Sequence, residues 1–201
     1  MRSARRALQA IAAAGVLLLA GCGDDESAGT APKSANPTDR AFVAEMVPHH
    51  EAAVQMAQIA TARAESPFVK KLAADIIRTQ KAEIATLRRE DAGLAEQGIE
   101  AGSLGLDDAA MGMDHDAATL ERAKPFDAAF LRMMVPHHEG ALKMSEIELD
   151  KGGDPELRTL AQQIIDGQKR EIAQMREHLD GGARDGEDEM HEDNHEAAPG
   201  Y

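Results

Sequence analysis

The sequence predicts an all-α protein, a four-helix bundle built from two duplicated helical hairpins. Three observations carry this reading. Residues 39–90 align on 127–178 without a gap, and 23 of the 52 paired positions are identical, so the chain contains an internal duplication. Within each repeat, seam residues recur at alternating steps of four and three, the spacing of one helix face. The composition has no Trp and four Phe against ten Met, which leaves Ala, Leu, Ile and Met to fill the core, as in helical bundles.

The first 22 residues read as an export signal. Arg2, Arg5 and Arg6 precede an apolar run from Ala7 that ends in Leu19-Ala20-Gly21-Cys22, and the run is too short for a confident membrane span. This resembles the bacterial lipoprotein signal, in which the cysteine is acylated and becomes the new N-terminus. The expected location is therefore outside the cytoplasm, anchored to the membrane by lipid. Cys22 is the only cysteine, so its acylation excludes disulfides and thiolate metal ligands from the folded part. Residues 23–38 are rich in Asp, Ser, Ala, Gly and Pro and read as a disordered tether. Without the three leader arginines, 19 basic side chains face 36 acidic ones, a formal charge of −17. Such a charge disfavours nucleic acid and unassisted binding to anionic lipid, and it draws in cations.

The bundle is expected over residues 39–180, with a crossover at 91–126 between the repeats. In the first repeat Phe42, Met46, His49, Ala53, Met56 and Ala60 trace one seam, and Val69, Ala73, Ile76, Gln80, Glu83 and Leu87 trace its partner. Asp39 and Asp127 are expected to cap the first helix of each repeat, and Ser66-Pro67 and Asp154-Pro155 the second. Gly152-Gly153 and Gly181-Gly182 are expected to stop helices. Pro48 and Pro136 fall inside the first helix of each repeat, where a proline removes a backbone hydrogen bond. The seam keeps its phase across both, so a kink is expected rather than a helix start. The crossover carries Met111-Gly112-Met113-Asp114-His115 and is expected to be ordered only in part. Residues 181–201 read as an acidic, disordered tail.

The chemistry lies in a duplicated phrase, Met46-Val47-Pro48-His49-His50-Glu51 and Met134-Val135-Pro136-His137-His138-Glu139. An antiparallel hairpin turning near Ser66 sets His49 level with Gln80 and Met46 level with Glu83, and likewise His137 with Gln168 and Met134 with Glu171. Burying a glutamate or imidazole without a partner costs several kcal/mol, on the order of the whole stability margin. The convergence of such groups points to a metal ion, with Met46, His49, His50, Gln80 and Glu83, then Met134, His137, His138 and Glu171, as candidate ligands. The competing reading has the imidazoles bonded to Glu83 and Gln80 in a metal-free core, where buried polar groups only fix helix register. Met56 and Met144, two turns beyond the first histidine, read by themselves as core filling. Glu51 and Glu139 leave the seam by about 200° and face solvent or support the ligands from behind.

Donor softness selects the metal. Carboxylate-bridged diiron bundles use Glu-x-x-His, whereas this chain has Met46-x-x-His49 and Met134-x-x-His137. Thioethers favour Cu(I), imidazoles accept both copper states, and Glu can help to hold Cu(II), so copper is favoured over zinc or iron. The crossover phrase and Met190, His191 and His195 of the tail add further soft groups.

On these residues, together with Gln80-Lys81-x-Glu83-Ile84-Ala85 and Gln168-Lys169-x-Glu171-Ile172-Ala173, the chain resembles the bacterial family named domain of unknown function 305. The resemblance covers both repeats and implies a ferritin-like fold, export, and a link to copper binding and copper tolerance. It carries over to Met46, His49, His50 and Met56, then to Met134, His137, His138, Met144 and Met175. Leu87 and Glu90 stand where the second repeat has Met175 and His178, so the two sites are expected to differ.

The leading expectation is a membrane-anchored, extracytoplasmic copper-binding protein that buffers copper, confers tolerance or hands the metal on. The alternatives are a ferritin-like metal-dependent oxidase and a structural or partner-binding bundle. No nucleophile–base constellation or phosphate-binding glycine loop supports another enzyme class. A delivery partner is not identified by the sequence, and a homo-oligomer stays open. A Cys22→Ala chain is expected to move from the membrane fraction to the soluble fraction, since stable anchoring requires the acyl chains; full retention in membranes would remove the lipid anchor from this account.

Overall fold

Both seams of each repeat are helices that fold back on one another, in a computed structural model that describes residues 34–114 and 117–189, with side chains to residue 181. The export signal, Cys22, residues 23–33 of the tether, His115 and everything from Met190 onward lie outside the described residues. The first repeat gives α1, Pro37–Arg63, and α2, Pro67–Glu96. A short α3, Ala117–Leu120, follows in the crossover, and the second repeat gives α4, Phe126–Lys151, and α5, Pro155–Glu189. Among the described residues there is no strand, and no helix is long and apolar enough to cross a membrane.

Helices α1 and α4 run unbroken through Pro48 and Pro136, as the unbroken phase of the seam requires. Ser66 caps α2 by accepting from the Phe68 amide, with Pro67 at the first position, and Asp154 accepts from the Leu157 amide at the start of α5. Two other expectations are corrected. The cap of α1 is Asn36, which accepts from the Thr38 amide at 2.8 Å while its own amide donates to Asp39 at 2.6 Å. Helix α5 also continues through Gly181 and Gly182 to Glu189, because an interior glycine costs only about 1 kcal/mol and does not by itself end a helix.

Asp39 and Asp127 perform a different task from the one expected. Asp39, fully buried in the first turn of α1, accepts from the Gly153 and Asp154 amides at 2.8 Å each, in the turn between α4 and α5. Asp127, in the first turn of α4, accepts from the Glu65 and Ser66 amides at 3.1 and 2.7 Å, in the turn between α1 and α2. Each repeat thus supplies the carboxylate that satisfies the other repeat's hairpin turn, and α1 and α4 pack antiparallel as an inner pair.

The core between the hairpins is layered. One end holds Phe42, Met46, Leu87, Met144 and Leu157, and the other holds Met56, Phe130, Met134, Ile172 and Met175. The four histidines lie between these layers, at the middle of α1 and α4, with at most 1 % of their surface exposed. The crossover is ordered further than expected. It runs along α1, where the Gly102 amide donates to the Pro37 carbonyl and the Leu104 amide to Glu45, both at 3.0 Å. Arg40 reaches it through Asp91 and the Ile99 carbonyl. Backbone donors and acceptors with fixed partners leave this segment little freedom.

Glu148, near the C-terminal end of α4, is fully buried and its oxygens face no N–H or hydroxyl donor. Burial and then the neighbouring Asp39 carboxyl push its pKa up to about 8, against the pull of Arg158 and with a further push from Asp154. The two carboxyls can adjoin in the core only by sharing a proton. Arg158 meanwhile donates to the Glu148 and Gly152 carbonyls that end α4. Because the folded pKa of Glu148 is raised, its contribution to stability is full below the ordinary carboxylate range and is lost as pH rises through about 8. The melting temperature of the protein is therefore expected to fall between about pH 5 and about pH 8.5, and Glu148→Gln, which needs no proton, is expected to remove most of that fall in thermal melts.

Candidate metal centre

Consecutive residues on a helix point about 100° apart, and this explains the doubled histidines. His49 of α1 turns toward α4 and meets its counterpart His137, with ring centroids 3.7 Å apart. His50 turns toward its own hairpin partner, where Nε2 lies 2.9 Å from Glu83 Oε2 at ion-pair distance but without hydrogen-bond alignment. The second repeat repeats the arrangement: His138 Nε2 is hydrogen-bonded to Glu171 Oε2 at 2.7 Å. Glu51 and Glu139 lie outside the core, in exposed ion pairs with Arg88 and Arg176.

The level pairing read from the sequence needs one amendment. Glu83 meets His50, and Met46 shares a buried cluster with Leu87, a turn further along α2. Helical side chains lean toward the N-terminus of their own helix, so in an antiparallel pair they lean in opposite directions and meet about a turn away from the backbone level.

Electrostatics keep the central pair neutral. Burial, and then the adjacent His50, push the pKa of His49 down to about 3. Burial and then His49 hold His137 well below the usual histidine range. Neutral imidazole has a lone pair to offer, and metal binding there displaces no proton from it at neutral pH.

The two open sides of the bundle differ. Between α2 and α5 a cleft of about 350 Å³ is lined by Gln80, Glu83, Gln168 and Glu171, the polar seam residues of both repeats. The glutamate side chains are 22 % and 19 % exposed, whereas the glutamines are buried and their amides have no partner. On the α1 and α4 side the crossover lies over the histidines. His49 Nε2 is 2.9 Å from the Met111 carbonyl oxygen, and Lys143 donates to the Ala110 carbonyl at 2.9 Å. Gly112, at φ +67°, presses on the Pro136 carbonyl, and Gly140 leaves room for the Met111 carbonyl. Beside this contact a cavity of about 360 Å³ is bordered by His137, Met56 and Met113.

Met46, Met134, Met144 and Met175 are fully buried in the layers flanking the histidines, and Met56 is nearly so. Among the described residues no three His, Cys, Asp or Glu side chains converge as a chelate. The orphaned groups fit a soft cation. His137 has no partner at either nitrogen, and Nδ1 of His49, His50 and His138 has none. The sequence reading missed the Met111 carbonyl and the placement of Met113; the glycine between two methionines was the available signal.

The profile of a family described as a domain of unknown function (DUF305) matches residues 25–91 and 39–179. Among solved structures, CopM in its Cu(I)-bound form is 33 % identical, with a TM-score of 0.60 over 71 % of this chain and 96 % of that one. CopM is also described in Cu(II)-bound and silver-bound forms. A DUF305 fragment from Deinococcus radiodurans is 31 % identical, with a TM-score of 0.61 over 73 % of this chain and 97 % of that one. A protein of the same family from Streptomyces coelicolor, described as secreted, is 25 % identical, with a TM-score of 0.62 over 72 % and 92 % of the two chains. No curated protein matches the sequence.

A Cβ at Gly140 would collide with the Met111 carbonyl. Gly140→Ala is therefore expected to destabilise the protein by about 1–3 kcal/mol and to lift the crossover from α4. Denaturant titration would read the first effect and faster amide exchange at residues 108–114 the second; wild-type exchange there would show that the crossover is not seated on α4.

Proposed function

The chain belongs to the family described as domain of unknown function 305, and from that membership we propose that it is an extracytoplasmic copper-binding protein, tethered to the membrane by lipid on Cys22, that buffers copper or hands it on. One observation carries the copper reading: a buried layer of four imidazoles, two of them without a hydrogen bond at either nitrogen and His137 without an ion pair as well, lies between layers of buried thioethers. Leaving a buried polar group unpaired costs about 1–3 kcal/mol, which a bound ion would recover.

The division of labour follows from the geometry. His49 and His137 offer neutral nitrogen to either copper state, and Met56 offers soft sulfur to Cu(I) beside His137. Met46, Met134, Met144 and Met175 place further thioethers in the adjoining layers. Glu83 and Glu171 orient His50 and His138 and, with Gln80, present oxygen donors at the cleft, where the acidic chain concentrates cations. That CopM is described in Cu(I)-, Cu(II)- and silver-bound forms supports the choice of metal, since silver shares the softness of Cu(I). The secreted relative and the leader of this chain support a place outside the cytoplasm. A purely structural role accounts for His50 and His138, which have glutamate partners, but leaves His137 unexplained.

Native mass spectrometry after loading with Cu(I), Cu(II), Zn(II) or Fe(II) is expected to retain copper; preferential retention of zinc or iron would overturn the reading. His49→Ala together with His137→Ala is expected to weaken both copper states by at least about tenfold. Met56→Leu nearly preserves volume and is expected to weaken Cu(I) while sparing Cu(II). Chelator competition measures both, and equal losses of the two oxidation states in the Met56 variant would make that methionine a packing residue.

A further inference from the structure

Duplication makes His49 and His137 equivalent in sequence, but the crossover touches them unequally. The Met111 carbonyl engages His49 at Nε2, 2.9 Å away. A carbonyl only accepts, so Nε2 of His49 carries the proton and only Nδ1 keeps a lone pair. His137 has no partner at either nitrogen and borders the cavity of about 360 Å³. Two thioethers share that cavity: Met56 from α1, and Met113, which is only half-buried.

Met113 is carried to the cavity by the preceding backbone. Gly112 is pressed against the Pro136 carbonyl and the His137 backbone at a φ of +67°, where a side chain is disfavoured and has no space. The Met111 carbonyl at His49 and the Ala110 carbonyl at Lys143 fix the residues just before it. Three successive residues are thus pinned, and the next side chain borders the cavity beside His137.

Resting on the copper reading above, we propose that the crossover makes the two repeats inequivalent and completes one Cu(I) site, formed by His137 of α4, Met56 of α1 and Met113 of the crossover. One borderline imidazole and two soft thioethers are all neutral, a set that suits Cu(I) and, with a single nitrogen, gives little to zinc or magnesium. The single positive charge of the ion lies near Glu121, an exposed carboxylate bordering the same cavity. Met113 lies on a connecting segment rather than a helix, so release of that one ligand opens the site without unpacking the bundle. The duplicated chain then holds one tight Cu(I) ion at this level.

The test uses the full chain under reducing, anaerobic conditions, with Cu(I) affinity read by chelator competition and sulfur coordination by X-ray absorption at the copper edge. Met113→Leu is expected to weaken Cu(I) by about tenfold or more and to remove one sulfur from the copper shell. Met111→Leu, which keeps the carbonyl, is expected to bind as wild type does. His137→Phe is expected to lose the tight ion, with circular dichroism confirming that each variant is folded. A folded Met113→Leu protein with wild-type affinity and sulfur count would overturn this assignment while leaving the copper reading intact. Retention of the tight ion by a folded His137→Phe protein would overturn it as well. A wild-type protein that retains no Cu(I) would instead overturn the copper reading on which it rests.

Discussion

The structure depends on an exchange of two aspartates. Asp39 in the first repeat satisfies the amides of the second repeat's turn, and Asp127 returns the contact to the equivalent amides of the first. These hydrogen bonds satisfy backbone amides that would otherwise lack partners, and they also fix geometry. By tying the start of each inner helix to the far end of the other hairpin, they set α1 and α4 antiparallel. Their crossing then falls where His49 meets His137. A helix pair free to slide by one turn would bring Met or Ala to that level instead.

Once the crossing is fixed, the chemistry of the layer follows from burial. Two buried imidazoles at 3.7 Å cannot readily both be charged, and burial holds both as neutral bases. The methionines around them are unbranched and polarisable, so they fill the irregular space beside the rings where Leu or Phe would be held to fewer shapes. The adjacent histidines, turned the other way along the helix, find glutamates on their own hairpins. The bundle therefore has a soft middle and, on its α2 and α5 side, an oxygen-rich cleft.

The duplication is not carried through unchanged. The crossover has no counterpart in either repeat, and it meets the two central histidines in different ways. Glu148 stands where the first repeat has Ala60, and Gly152, which leaves space for the Glu148 carboxyl, stands where it has Ala64. The second hairpin turn thus adds a buried carboxyl pair, Asp39 and Glu148, that the first turn lacks.

Periodicity and capping operate over a few residues, so the sequence alone determined the four long helices, the starts of α2 and α5, the continuity of α1 and α4 through Pro48 and Pro136, and the burial of the histidines and methionines. It also determined the donor softness, which is a property of residue type. Only the tertiary structure decided which groups meet. Two identical phrases are equally compatible with one site in each repeat or one shared layer, and the choice lies in how the hairpins cross. The opposed lean of antiparallel side chains gave Glu83 to His50. The path of the crossover, fixed by the close approach of Gly112 and Gly140, tied His49 to a carbonyl and left His137 facing a cavity bordered by thioethers. Such contacts join residues more than twenty positions apart, and no local pattern in the chain encodes them.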